Sequence, residues 1–186
     1  MRTAEREAKM RELETTRING VAIIDRLQIL DEVNRYAWAW DSGDIEEYLD
    51  CYAEDGALEH PTKDGKPGYH TGRDAVRAAI LANMEARPTN AYGLQHHFGS
   101  PRLEPDGDDV IVNAYCAVLR HEFHRTYWPS GPSFRIGTWH CRYTRTAAGW
   151  RIKVLSVKMW TDTAFNSGIA IQDRKPGMVG TGTPFG

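Results

Sequence analysis

Polar and apolar positions along this chain change period twice, and the changes divide it into parts. Residues 1–16 are mostly charged with good helix formers, and Ala4, Ala8 and Leu13 leave only a thin apolar stripe. The pattern predicts a helical arm, residues 1–19, that packs on a neighbour or frays. From 21 to 40 the spacing turns helical: Ile23, Leu27, Leu30, Asn34, Ala37 and Trp38 recur at steps of three and four, which predicts a helix with one buried face. Ser42-Gly43-Asp44 stops it, and Asp44 is placed to cap a short second helix over Ile45–Tyr52. Ala57-Leu58-Glu59-His60 reads as a short strand closed by Pro61, and the glycines and prolines of 61–72 read as a loop. A third helix is predicted over Asp74–Arg87, with Ala75, Val76, Ala79, Ile80 and Met84 as its apolar positions.

From residue 93 the period becomes two. Strands are predicted at 94–104, 109–125, 133–146 and 149–161, separated by Pro105-Asp106-Gly107, Pro129-Ser130-Gly131-Pro132 and Ala147-Ala148-Gly149. Three of them exceed ordinary strand length, which suits a strongly curved sheet. Residues 162–186 have little periodicity and read as a glycine-rich tail or lid. Helices first and an antiparallel sheet curling round them give an α+β fold with one domain, residues 20–161, and a concave sheet face able to enclose a small ligand.

Composition narrows the function. With 23 Lys and Arg against 25 Asp and Glu, the net charge of -2 gives no electrostatic case for nucleic acid or an anionic membrane. No apolar run approaches the roughly 20 residues of a membrane span, and the charged start lacks the apolar core of a secretory signal. The three cysteines, Cys51, Cys116 and Cys141, are scattered without a CxxC pair, as suits reduced thiols in the cytoplasm. Six tryptophans and eight tyrosines suit an aromatic-lined pocket and an ordinary core equally.

The candidate chemistry centres on Leu94-Gln95-His96-His97-Phe98-Gly99. In a regular strand Leu94, His96 and Phe98 share one face and Gln95, His97 and Gly99 the other, so alternation alone turns His96 inward and His97 outward. Asp41 ends the aromatic stretch Tyr36-Ala37-Trp38-Ala39-Trp40. It suits both a pocket floor, holding one imidazole nitrogen while the other moves a proton, and plain turn chemistry before Ser42-Gly43. His121 and His124 fall on opposite faces of one strand, and no HxH, HExxH or Cys/His spacing supports a metal site. Arg142, Arg145 and Arg151 read as a solvated surface. No GxSxG, P-loop or GxGxxG stands in the setting it needs.

The helix ending in Asp41, the helix start Gly72-Arg73-Asp74-Ala75, Gln95-His96-His97-Phe98-Gly99 and the closing strand Gly149-Trp150-Arg151-Ile152 together resemble the SnoaL-like branch of the nuclear transport factor 2-like superfamily. Scytalone dehydratase, lindane dehydrochlorinase and bile-acid 7α-dehydratase are among its members. The resemblance covers roughly residues 20–161 and lies in the order and spacing of these segments. It implies an α+β cone around a buried pocket, assembled as a homotrimer or homodimer. It also implies catalysis by Asp41 and His97, against the alternation; a bulge before Phe98 would reconcile the two. Tyr36 and His121 match the family's further acids, with His124 as a substitute for His121. Trp38, Trp40, His96 and Trp160 are the substrate-binding candidates. The implied activity is that of a lyase needing no cofactor or metal: a dehydratase, or an enzyme releasing formaldehyde from a 1,3-diol, acting on a small hydroxylated aromatic compound such as a lignin-derived diaryl diol. The superfamily also holds polyketide cyclases and isomerases, and noncatalytic dioxygenase-partner or binding subunits. The N-terminal arm, the tail and the loop at 127–134 depart from the relatives and leave the substrate open.

Overall fold

A computed structural model describes residues 2–61, 67–85, 91–123 and 129–159. Helix α1 (Arg2–Thr15) leads into a two-stranded hairpin, β1 (Arg17–Ile18) and β2 (Val21–Ala22). Its turn is Asn19-Gly20, both with positive φ (50° and 82°), the conformation for which Asn-Gly is favoured in two-residue hairpins. Then come α2 (Ile23–Ser42), α3 (Ile45–Asp50), β3 (Tyr52–Pro61), β4 (Pro67–Thr71) and α4 (Arg73–Glu85). Four long strands follow: β5 (Ala91–Asp106), β6 (Asp109–Phe123), β7 (Pro129–Thr146) and β8 (Gly149–Met159). They form a six-stranded sheet of order β4-β3-β8-β7-β6-β5, antiparallel except for the parallel β3–β8 pair. Helices followed by a curved, mainly antiparallel sheet make this an α+β cone.

The caps act as their residues dictate. Gly43 ends α2 in the left-handed conformation (φ 77°), and its N–H bonds the Trp40 carbonyl. The Asp44 carboxylate accepts the Glu47 N–H at 3.0 Å and starts α3.

Three readings of the pattern need correction. The 61–72 stretch is not all loop: β4 pairs with β3 from Ala57↔Thr71 to Pro61↔Pro67, an outer-edge position where a missing N–H costs no ladder bond. Similarly, β7 begins at Pro129, and its backbone pairs Phe123↔Pro129 and Glu122↔Ser130. On α2 the buried stripe is Ile29, Val33, Tyr36, Ala37 and Ala39, while Leu27 and Trp38 are 52% and 76% exposed. Two apolar stripes compete on this helix, and the one carrying Tyr36 faces the sheet.

The core sits between α2–α4 and the inner face of the sheet. On β6, Val110, Val112, Ala114 and Cys116 are buried; on β7, Trp139, Cys141 and Tyr143. Alternation puts their neighbours outside, as with the exposed Tyr115. Arg142, Arg145 and Arg151 are more than solvated surface. Arg151 pairs with Glu32 at 3.1 Å with both side chains under 20% exposed, and Asp25 takes both Arg145 and the Trp150 indole N–H. These bonds tie α2 to the β7–β8 hairpin. Arg142 reaches Asp106 at 2.6 Å across the hairpin ends. Among the described residues no helix is long and apolar enough to cross a membrane.

Candidate active site

The end of α2 meets the start of β5, and there the carboxylate of Asp41 takes two bonds from one residue. Oδ2 accepts the His96 backbone N–H at 2.7 Å, and Oδ1 lies 2.6 Å from the ring Nδ1. The ring nitrogen facing a carboxylate at that distance carries the proton, so Nε2 is left as the nitrogen with a free lone pair. The side chains are 10% (His96) and 17% (Asp41) exposed: enclosed, yet reachable.

The pairing differs from the expected Asp41–His97. From Gln95↔Leu119 to Gly99↔Tyr115 the β5–β6 register runs without a break; the slips lie at Tyr92/Gln95 and Gly99/Arg102. No irregularity falls between Gln95 and Gly99, so alternation holds across His96, His97 and Phe98. His96 and Phe98 face the helices, while His97 is exposed on the other face, 3.3 Å from its own neighbour Gln95 Oε1.

Aromatic rings pack round His96. Tyr36 meets it edge-on at 6.4 Å, Trp40 edge-on at 6.3 Å, and Phe98 lies stacked at 6.4 Å. Tyr36 and Trp40 are four residues apart, one above the other on the same helix face, with Asp41 following; Trp38 falls on the far side, away from this cluster. Behind Tyr36 stands a row of buried phenols: the Tyr36 and Tyr48 rings lie 5.1 Å apart, and the Tyr48 hydroxyl lies 2.9 Å from that of Tyr52. Burial, then the neighbouring phenols, push the Tyr36 hydroxyl well above its ordinary range, so it stays a neutral proton donor. Burial pushes the nearby Cys116 thiol up to about 12, with the charge of Asp41 adding to it.

Of the other expected site residues, His121 lies on β6 with its backbone opposite Tyr92. The side chain of His121, and His124 and Trp160 altogether, lie outside the described residues, as does the tail at 162–186. Sequence reasoning missed Tyr48, Tyr52, Phe98 and Trp139. Phe98 was legible from its shared parity with His96, and Trp139 from its alternation with Cys141 and Tyr143. The phenol row had no local signal. Among the described residues no three His, Cys, Asp or Glu side chains are grouped to hold a metal ion.

The arrangement can take a proton at His96 Nε2 and give one from Tyr36, within an aromatic surround suited to a flat ligand.

Comparison with known proteins agrees with the architecture. A sequence profile of the SnoaL-like domain matches residues 21–156. Among solved structures, a nuclear transport factor 2-like protein with a cystatin-like fold from Novosphingobium aromaticivorans superposes with a TM-score of 0.61 at 24% identity, over 88% of this chain and 94% of that one. A candidate aromatic ring hydroxylase from the same organism gives 0.59 at 20% identity (76% and 93% covered). A candidate dehydratase of the nuclear transport factor 2-like family from Streptomyces avermitilis gives 0.59 at 16% (72% and 95% covered). At these identities the likeness is one of fold. No curated protein matches the sequence.

Proposed function

Because the chain belongs to the SnoaL-like family, which includes polyketide cyclases and dehydratases, we propose that it is a lyase acting on a small hydroxylated aromatic compound by acid–base chemistry. The observation that carries this reading is the doubly bonded Asp41–His96 pair set among Tyr36, Trp40 and Phe98. Relative to the sequence reading, the base moves from His97 to His96.

In a dehydration, His96 Nε2 takes the proton from the carbon next to the C–O carbon. The C–H electrons become the new C=C bond, the C–O bond breaks, and the departing oxygen leaves as water with a proton from Tyr36. In a 1,3-diol the same base takes the proton of the primary hydroxyl. Formaldehyde leaves as the C–C bond breaks, those electrons form the C=C bond, and the second hydroxyl departs as water. Asp41 holds the ring in position and stabilises the imidazolium. Either route needs an acid and a base alone, and a positioned base contributes about 10²–10⁴-fold. His121 remains a candidate for the second acid, and a homotrimer or homodimer the proposed assembly.

The test is a mass-spectrometric screen of the purified protein, without added cofactor, against β-hydroxy aromatics, diaryl propanediols and polyketide-like ketones. A product lighter by water, or by formaldehyde and water together, identifies the lyase and the bond it breaks. A product of unchanged mass would replace this reading by an isomerase or cyclase, and no product across the panel by a binding subunit.

A further inference from the structure

The inner face of β7 carries a polar group that the described protein leaves unmatched. Trp139 is 1% exposed, and its indole N–H has no hydrogen-bond partner among the described residues. A buried donor without an acceptor is costly, and native interiors contain few of them. The position of this one is informative. The Trp139 ring lies 5.0 Å from Phe98 and 5.9 Å from Tyr36, the two rings that also flank His96.

Strand register shows which small side chains stand beside it. Trp139 stands opposite Ala114; one row nearer the Asp41–His96 pair, Phe98, Cys116 and Gly137 stand in line across β5, β6 and β7. Between Trp139 and the row of His96, the sheet thus offers a methyl, a thiol and a glycine beside one phenyl ring. The other unmatched side-chain group on this face, the Tyr143 hydroxyl, lies a further step into the core, away from the Asp41–His96 pair.

We infer that Trp139 Nε1–H is a ligand-binding donor that completes the site. It donates to an oxygen on the aromatic portion of the bound molecule, the part that passes Phe98, while His96 faces the bond to be broken. The site thereby selects oxygenated aromatics (aryl ketones, aryl ethers, phenols) over hydrocarbons of the same shape. A site built to hydrogen-bond an oxygen rejects the analogue lacking it, because its own buried group then stays unpaired. This inference rests on the reading of the His96 surround as the substrate site.

Acetophenone and α-methylstyrene test it, since they differ only in a C=O against a C=CH₂. Neither carries a departing oxygen, so the unaltered protein reports binding alone and the result is independent of whether the lyase chemistry is right. The readout is the indole ¹H–¹⁵N cross-peak of Trp139, assigned by its loss in Trp139→Phe. The ketone is expected to move that cross-peak downfield and to bind about 10-fold more tightly than the alkene, equivalent to about 1.4 kcal/mol. Trp139→Phe is expected to bring the two affinities within about 2-fold. Equal affinities in the unaltered protein, an indole signal that neither probe moves, no binding of either probe, or selectivity that survives in Trp139→Phe would each overturn the inference. Should Trp139→Phe fail to fold, the ketone-against-alkene comparison, with the cross-peak assigned by triple resonance, decides alone. The lyase reading fails separately, through undiminished turnover in His96→Gln.

Discussion

The carboxylate of Asp41 holds both the backbone and the ring of His96, at 2.7 Å and 2.6 Å. Two bonds from one carboxylate fix the strand against the helix end and fix the ring against the strand, across 55 residues of sequence. A single bond would leave the imidazole free to turn about its χ angles. The double hold selects the Nδ1–H tautomer and points Nε2 the other way.

The pair should therefore behave as a unit in catalysis. Asp41→Asn keeps the shape but presents an amide that can no longer both accept from Nδ1–H and stabilise an imidazolium. On the substrate found by the product screen, kcat/KM is expected to fall by about 10²–10⁴-fold in Asp41→Asn and in His96→Gln. His97→Ala, on the outer face, is expected to stay within about 2-fold. Steady-state kinetics of the three variants check this, and a large loss confined to His97→Ala would return the base to that residue.

Tyr48 packs its ring on Tyr36 and shares a hydrogen bond with the buried hydroxyl of Tyr52. Tyr48→Phe leaves the Tyr52 hydroxyl short of a partner in a dry setting. The unfolding free energy is expected to drop by about 1–3 kcal/mol in urea titrations.

Gly56 occupies the irregularity where β3 joins its parallel partner β8. A Cβ there would stand 2.6 Å from the Ile152 carbonyl oxygen and 2.9 Å from that of Ala53, both backbone atoms that cannot swing aside. Gly56→Ala is expected to destabilise by about 1–3 kcal/mol, the cost of overpacking, read as a lower thermal midpoint. Gly43→Ala would meet no neighbouring atom and is strained only through its positive φ.

Alkali should weaken the fold through its thiols. Burial pushes Cys51 and Cys116 up to about 12, and Cys141 well above its ordinary 9.0. Between those values the unfolded chain ionises its thiols while the folded chain holds the protons. The stability they contribute is therefore fully present below pH 9 and lost as pH rises toward 12. Urea midpoints measured from pH 8 to 10 should fall with pH, and Cys116→Ala should flatten the slope. Native protein at pH 7.5 should resist alkylation that the urea-unfolded chain accepts.

At the acid end His70 gives a smaller effect of the same kind. Its stacking on His60 (centroids 4.2 Å apart) and its partial burial hold it below the ordinary 6.5, burial first and the His60 charge second. The unfolded chain binds this proton more readily, so stability falls as pH drops below about 6.5 and levels off once the folded state also takes the proton. His70→Gln should reduce the slope of thermal midpoint against pH in that window.

Much of this architecture is local and could be read from the chain. Period-two alternation after residue 93, Pro105-Asp106-Gly107 and Ala147-Ala148-Gly149 gave the long strands and their hairpins, because a pleated backbone sends alternate side chains to opposite faces whatever surrounds it. The Asp44 cap follows from one side chain and the next turn of helix, and the Asn19-Gly20 hairpin was equally legible, though passed over. Alternation even placed His96 on the inner face, and the family pattern that favoured His97 in its stead required a bulge between Gln95 and Phe98, where the strand runs in unbroken register.

What the sequence by itself determined, then, was the order of the main helices and the four long strands, the curved sheet and the inner face of those strands. Tertiary structure decided which of two apolar stripes on α2 turned inward, exposing Trp38 and burying Tyr36. It decided that Asp41 would meet His96, that Tyr36, Tyr48 and Tyr52 would line up, and that Arg151 would be spent on Glu32. Each of these joins groups on elements far apart in the chain. Local pattern fixes only the face a residue occupies; which partner stands across from it depends on how the sheet curls over the helices, and no short stretch of sequence encodes that.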